Sequence, residues 1–145
     1  MKSFVLIYAG RAFFPFLVLL SLVVLYRGHN LPGGGFIGGL LGAMPFIFIG
    51  LGEGMDRAHR MLPVKPVLLL GCGLGLAFLS GLPGLFKAPA FLVGQWLPGM
   101  HLPLLGEVHL GTPLVFDVGV YLTVIGFVLH TTFSLVRLGH LEDNV

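Results

Sequence analysis

Four long apolar stretches constrain this chain more than any other feature of its sequence. They run from about Phe4 to Tyr26, Phe36 to Gly52, Pro66 to Leu85 and Pro113 to Leu138. About 20 consecutive apolar residues cross a bilayer as an α-helix, because a helix satisfies its own backbone hydrogen bonds in lipid. We therefore predict an all-α integral membrane protein, with residues 1–145 forming a single domain of four transmembrane helices.

The composition agrees with lipid as the main solvent of the folded chain. Hydrophobic residues make up 56% of the sequence and charged residues 10%, and the mean hydropathy is +0.99. A soluble domain has about 25% charged residues, so this chain has too few charges to cover a surface that faces water. The net charge of +2 is small and scattered, which argues against a nucleic-acid partner. The first apolar stretch lacks a small-residue cleavage site, so we expect a retained helix rather than a signal peptide.

The segments that link the apolar stretches differ in character. Arg27 to Gly35 is a tight, polar, glycine-rich turn. Glu53 to Lys65 carries charges of both signs, and its Glu53 and Arg57 have the spacing of a surface helix pair. Phe86 to Thr112 is apolar but too rich in proline and glycine for a fifth span. We expect short loops elsewhere and here one longer apolar loop at the membrane interface.

The basic residues are distributed unequally between the two sides of the membrane. With four spans, the two termini and the second link share one side, and Arg11 is expected to extend its charged end to the interface there. That side holds Lys2, Arg11, Arg57, Arg60, Lys65 and Arg137. The other side holds Arg27 and Lys87. Because basic residues favour the cytoplasmic side, we predict that both termini are cytoplasmic.

The residue types that carry enzyme chemistry show no organised pattern. The spacing of the six histidines is unlike that of metal ligands. The histidines are His29, His59, His101, His109, His130 and His140. No nucleophile in the sequence is paired with a base. The single cysteine, Cys72, lies in an apolar run and is interpreted as a small packing residue. We predict no enzyme active site, no metal site and no cofactor.

Glycines are concentrated where helices are expected to touch. Small-xxx-small pairs are formed by Gly35 with Gly39, Gly38 with Gly42, and Gly71 with Gly75. In lipid, helices associate through close backbone packing, which glycine permits. These pairs either pack the four helices together or pack this chain against other subunits. Four short helices bury little area among themselves, which favours the second interpretation.

Two motifs resemble those of a known family. The run Gly-His-Asn-Leu-Pro-Gly-Gly-Gly-Phe ends at Phe36, between two spans, and such a run is specific. A later stretch, from Leu110 to Leu122, has apolar residues followed by Phe-Asp and then Gly-Val-Tyr. Together they are similar to the MnhB/MrpB family, the B-type subunits of the multisubunit Mrp-type Na⁺/H⁺ antiporters. The resemblance extends from about Arg11 to Leu138.

The resemblance implies an accessory subunit of a cation/proton antiporter in a prokaryotic plasma membrane. Such a subunit would serve assembly, possess no cofactor of its own, and have subunits of the A, C, D, E, F and G types as partners, with membrane lipid around them. The complex would handle Na⁺ and H⁺. Similar subunits occur in ion-translocating membrane-bound hydrogenases, which is one alternative, and a purely structural adaptor is another. The chain lacks the cysteines of an iron–sulfur cluster, so redox chemistry would belong to partners.

The glycine-rich turn contains the structural signature of the resemblance. Its residues are Pro32, Gly33, Gly34, Gly35 and Phe36. Proline ends the incoming segment, and the glycines permit positive φ angles and close backbone approach before the second helix begins. Alternatively, free N–H groups at that helix start hold an anion or an acidic side chain.

Four residues are candidates for an ion path: Asp117, Tyr121, His29 and Pro45. A carboxylate inside a membrane helix normally faces protein or water, so Asp117 is either a structural partner of Arg27 or of a backbone donor, or it is a proton or cation relay. Tyr121 lies one helical turn further and is placed to hydrogen-bond that carboxylate. His29 caps the turn or lines an aqueous vestibule. Pro45 leaves the carbonyl of Leu41 without its helical partner, either as an ordinary kink or as a broken helix at an ion pathway.

Overall fold

The computed structural model describes residues 4–28, 33–87, 94, 100–102, 106–108 and 111–142. The described helices are α1 (Phe4–Arg27), α2 (Gly34–Glu53), α3 (Met55–Met61), α4 (Pro66–Lys87) and α5 (Thr112–Glu142). The described strands are β1 (Met100–Leu102) and β2 (Gly106–Val108). Helices α1, α2, α4 and α5 are long and apolar enough to cross a membrane, which confirms the prediction of an all-α protein with four spans.

The helix ends follow from proline and glycine at the boundaries. Helix α4 begins at Pro66, where the missing N–H is harmless because the first turn has no helical acceptor for it. Helix α2 ends at Glu53, and the next residue, Gly54, has a φ of 107° that is unfavourable for any residue with a Cβ. The short amphipathic helix α3 starts directly after that glycine and buries Ala58. The sequence analysis did not predict this helix.

A short hairpin lies in the segment that connects α4 to α5. Strands β1 and β2 are antiparallel, with Met100 opposite Val108 and His101 opposite Glu107. The predicted loop between the last two spans therefore contains a short hairpin. Pairing satisfies backbone N–H and C=O groups that an extended apolar segment would otherwise leave without partners. The interfacial location of this segment stays a prediction.

The four spans form an open row in the order α1, α2, α5, α4. Helix α2 packs against α1 on one face and against α5 on another, and α5 also packs against α4. Helices α1 and α5 touch only marginally, and within the described residues no extensive contact joins α1 to α4. The chain is thus a single layer of helices rather than a closed bundle.

Helix α2 is the most enclosed helix of the row. Half of the most apolar part of α2 is buried within the chain, compared with 11% for α1, 28% for α4 and 22% for α5. The small core between α2 and α5 centres on Ala43, Ile125 and Leu129. The outer faces of α1, α4 and α5 expose many large apolar side chains, which only lipid or another protein can cover.

Candidate ion-path site at the start of helix α2

Glycines bring helix α2 into backbone contact with both of its neighbours. A Cβ at Gly35 would overlap the backbone oxygen of Asp117 in α5. One at Gly39 would lie 2.8 Å from the Cβ of Val124, also in α5. On the opposite side, a Cβ at Gly38 would lie 3.1 Å from the backbone oxygen of Ser21 in α1. The glycine pairs of the second span therefore pack this chain together internally.

The glycine pair of the third span behaves differently. No atom of the described residues lies within 4 Å of a Cβ built at Gly71 or Gly75. Between them, Cys72 is exposed, so its interpretation as a packing residue was wrong for contacts within this chain. It is Gly73, on another face of α4, that packs against Gly119 of α5. The described residues therefore leave the pair Gly71–Gly75 uncovered.

The turn before α2 has the backbone conformation predicted for its glycines. Gly33 and Gly34 have φ angles of 152° and 79°, which strain residues that have a Cβ. The side chain of Phe36 is 58% exposed. His29 and Pro32 lie outside the described residues, so the proposed roles of both remain predictions.

The carboxylate of Asp117 lies against the first residue of α2. A Cβ at Gly34 would be 3.4 Å from Oδ1 of Asp117 and 3.6 Å from Oδ2. The N–H groups of a first helical turn have no helical acceptor and form the positive end of the helix dipole. A negative charge at Asp117 is therefore placed where α2 stabilises it electrostatically.

Within the described residues, the carboxylate of Asp117 forms no ion pair and no hydrogen bond. The predicted pair with Arg27 is not formed, and the side chain of Arg27 is exposed. The predicted hydrogen bond from Tyr121 is not formed either, because that hydroxyl has another partner. The pair with Arg27 was predicted because both residues lie on one side of the membrane, and the hydrogen bond from Tyr121 because the two residues are one helical turn apart. The packing of the helices gives these side chains other surroundings.

Asp117 borders a cavity of about 270 Å³ between the end of α4 and the start of α5. The described residues that line it are Ser80, Gly94, Thr112, Pro113, Phe116 and Asp117. The hydroxyl of Ser80 donates to the backbone oxygen of Ala77 at 2.7 Å. Since a water molecule occupies roughly 30 Å³ of liquid volume, the cavity has room for several waters beside the carboxylate.

One turn further along α5, Tyr121 takes part in a hydrogen-bond network that joins three helices. Its hydroxyl lies 2.8 Å from Oγ of Ser21 in α1. Ser21 is fully buried and donates to the backbone oxygen of Gly38 in α2 at 2.8 Å. Because the single hydrogen of Ser21 is used in that bond, Tyr121 is the donor to Ser21. Sequence reasoning missed Ser21, since nothing near it indicates which helix it faces.

Pro45 lies apart from the Asp117 cavity. It is fully buried within α2, which continues as an α-helix on both sides of it. It is 11 residues beyond Gly34, so the two are ~16 Å apart along the helix axis. Of the four ion-path candidates, the structure places Asp117 on the cavity and Tyr121 one turn away, but it does not bring Pro45 to them.

A charged cluster lies at the other end of α2. Glu53 accepts hydrogen bonds from Nε and Nη2 of Arg11 at 2.6 and 2.8 Å, and Nε of Arg57 lies 2.6 Å from its Oε2. The side chain of Glu53 is only 8% exposed. The predicted pair of Glu53 and Arg57 is therefore present, but the interpretation as a simple surface pair was wrong. The cluster fastens α1 and α3 to the end of α2, and Arg11 is an ion-pair partner rather than an isolated interfacial charge.

A family model described as a domain related to the MnhB subunit of Na⁺/H⁺ antiporters matches residues 5–130. The chain belongs to the MnhB family. Within the part of the chain that the structure describes, no group of three His, Cys, Asp or Glu residues is arranged to hold a metal ion. The MnhB domain contains the Asp117 cavity, the Tyr121–Ser21 network and the Glu53 cluster.

Relatives in the MnhB family are similar over most of their length. The B-type Na⁺/H⁺ antiporter subunit of Alkalihalophilus pseudofirmus is 38% identical over 109 residues, or 75% of each chain. The B-type Na⁺/H⁺ antiporter subunit of Bacillus subtilis is 37% identical over 113 residues, or 78% of each chain. The putative antiporter subunit mnhB2 of Staphylococcus saprophyticus is 41% identical over 108 residues, which is 74% of this chain and 76% of that one.

A solved structure shares the MnhB fold. A chain in the structure of the Mrp complex from Dietzia sp. DQ12-45-1b superposes with a TM-score of 0.70 and is 38% identical. The match covers 86% of this chain and 13% of that much longer chain. The MnhB unit therefore also exists as one part of a larger polypeptide within an assembled complex.

Proposed function

We propose that this chain is the B-type subunit of a multisubunit Na⁺/H⁺ antiporter in a bacterial plasma membrane. The observation that supports this most strongly is its identity of 37–38% with two B-type antiporter subunits, each over at least three quarters of both chains. The similarity to part of the Dietzia Mrp complex supports an assembled, multisubunit setting. Its partners in the complex are subunits of the A, C, D, E, F and G types, and its role is in transport rather than in enzyme catalysis.

The open row of helices supports a role in assembly. The outer faces of α1 and α4 expose large apolar side chains along their length, and Gly71 and Gly75 leave α4 open to close approach. We propose that neighbouring antiporter subunits cover part of these faces and that lipid covers the remainder. The tightly packed α2 then serves as the rigid centre on which the two sides of the row are fixed.

We also propose that both termini face the cytoplasm. The described basic residues Arg11, Arg57, Arg60 and Lys65 lie at the end of the row where α1 begins and α2 ends, as this orientation requires. A single cysteine placed at Asp56, in a chain with Cys72→Ser, should resist a membrane-impermeant thiol reagent added outside intact cells. A cysteine at Leu31 should be labelled. The reverse pattern would overturn the orientation but not the number of spans.

The transport role is tested by complementation. All genes of the complex would be expressed in a host that lacks its own antiporters, with and without this chain, and Na⁺-dependent proton movement would be measured in everted vesicles. We expect antiport to be lost without the chain and restored when the chain is supplied from a plasmid. Full antiport in its absence, with the other subunits present in normal amounts, would contradict the proposal.

A further inference from the structure

We propose that Asp117 is an exchangeable-proton site and that the cavity beside it is its water-filled access. The proposal rests on the antiporter function proposed above and assigns one residue of this subunit to proton handling. It depends on three observations: the cavity, the absence of a partner for the carboxylate among the described residues, and the position of the carboxylate at the start of α2.

The first two observations make a change of protonation state feasible. Asp117 lies inside a membrane-spanning helix, yet it is partly exposed and borders a cavity large enough for several waters. No cation of the described residues neutralises it. An ion pair would hold the carboxylate in its charged form, as the two arginines hold Glu53. With no such pair among the described residues, the carboxylate borders the cavity without a cation that would hold it in its charged form.

The start of α2 stabilises the state that remains after the proton has left. The carboxylate lies beside Gly34, at the positive end of the helix dipole. The protonated state is neutral and is compatible with the apolar walls that Pro113 and Phe116 provide. The charged and the protonated form of the carboxyl group are thus both compatible with their surroundings, as a proton-exchanging group requires.

The same surroundings favour a proton over a bare Na⁺ ion. Hard cations are held by several oxygen ligands at once. Among the described residues that line the cavity, Asp117 supplies the only carboxylate, and the hydroxyl hydrogen of Ser80 is committed to Ala77. The nearest backbone, at Gly34, is the positive end of a helix, which opposes a second positive charge. A proton requires a single oxygen and removes the charge altogether.

Among the described titratable groups around the cavity, Asp117 is the candidate for proton exchange. Helix α2 contributes none near its start, and α5 contributes Tyr121, whose hydroxyl donates to Ser21. On α4, Cys72 is exposed about two turns from Ser80. On α1, Arg27 and Tyr26 are both exposed. The side chains of His29, Lys87 and Glu107 lie outside the described residues.

Carbodiimide labelling tests the proposal on the intact complex in native membranes. Dicyclohexylcarbodiimide adds to a protonated carboxyl group: the carboxyl oxygen bonds to the central carbon, the proton moves to nitrogen, and rearrangement gives a stable N-acylurea. Peptide mass spectrometry then reports which of the six acidic residues is modified. We expect modification of Asp117 that decreases as the pH rises and does not change with added Na⁺. Glu53, held ionised by two arginines, should remain unmodified.

A variant supplies an independent readout. Asp117→Asn keeps the shape of the side chain but removes its proton-exchanging group. We expect the assembled complex to lose antiport by about tenfold or more. The matched control is Asp56→Asn, an exposed carboxylate on α3, which should retain antiport and its pH profile.

Three results would overturn the proton site: no modification of Asp117 at any pH, protection of Asp117 by Na⁺, or wild-type antiport in the assembled Asp117→Asn complex. Labelling of the wild-type complex decides the matter even where the variant fails to assemble. Antiport that persists without the whole chain would instead refute the proposed function. The two failures are therefore distinguishable.

Discussion

Replacing Gly35 with alanine is expected to prevent assembly of the complex. The added Cβ would overlap the backbone oxygen of Asp117 and lie 2.9 Å from the Cβ of Val120. A backbone atom cannot give way unless α2 and α5 move apart, and overpacking of this kind costs roughly 1–3 kcal/mol or more. Alanine is otherwise the better helix former by about 1 kcal/mol, so any loss must come from packing.

The matched control for this substitution is Gly139→Ala near the end of α5, away from the α4 face that neighbouring subunits are proposed to cover. No described atom lies within 4 Å of the added Cβ, so the fold of the chain should be unaffected. Native gel electrophoresis of the solubilised membrane would report the amount of assembled complex for both variants. Equal, wild-type yields from the two would contradict the close contact of α2 with α5. A loss confined to Gly139→Ala would contradict it as well.

Replacing Glu53 with glutamine is expected to loosen the junction of α1, α2 and α3. Glutamine has nearly the same shape, but it removes the negative charge that balances Arg11 and Arg57. The two guanidinium groups would then repel each other across a neutral, nearly buried side chain. We expect a lower midpoint of thermal unfolding in detergent and faster proteolysis after the arginines of α3.

The control for Glu53 is Asp56→Asn, which removes a carboxylate three residues away. Asp56 is exposed and has no ion pair within the described residues. An exposed charge contributes little to stability, so this variant should unfold like the wild-type chain. If the Glu53→Gln and Asp56→Asn variants both unfold at the same temperature as the wild type, the ion pairs of Glu53 do not stabilise the fold.

The membrane spans could be predicted from the sequence because lipid leaves few choices. A chain that places about 20 apolar residues together in a bilayer must form a helix, whatever its neighbours are. The helices of the structure accordingly begin and end within four residues of the predicted spans. Helix α3 and the β1–β2 hairpin were missed because neither is long or apolar enough for that argument to apply.

The order of helices in the row could not be predicted, because it depends on contacts between distant residues. Ser21 and Tyr121 are 100 residues apart in sequence, and Arg11 and Glu53 are 42 apart. Each helix has several apolar faces, so hydropathy does not say which face meets which neighbour. The glycines of α2 did indicate a close contact, but they did not identify α5 and α1 as the partners.

The candidate site was predictable in part. Asp117 stands out as a carboxylate in an apolar span, and the glycine turn suggested a helix start that favours negative charge. The sequence does not show that these two features meet, since the meeting follows from the packing of Gly35 on α5. The cavity also depends on α4, whose Ser80 gave no signal of its own.

Purification of the tagged chain in mild detergent, with mass spectrometry of the proteins that accompany it, is the most direct test of whether this chain is an antiporter subunit. We expect antiporter subunits of the A, C, D, E, F and G types in fixed proportion to this chain, and their loss in the Gly35→Ala variant. Recovery of hydrogenase subunits in fixed proportion would contradict the antiporter assignment. Recovery of the chain alone, under conditions that preserve other membrane complexes of the same cells, would contradict its role as a subunit.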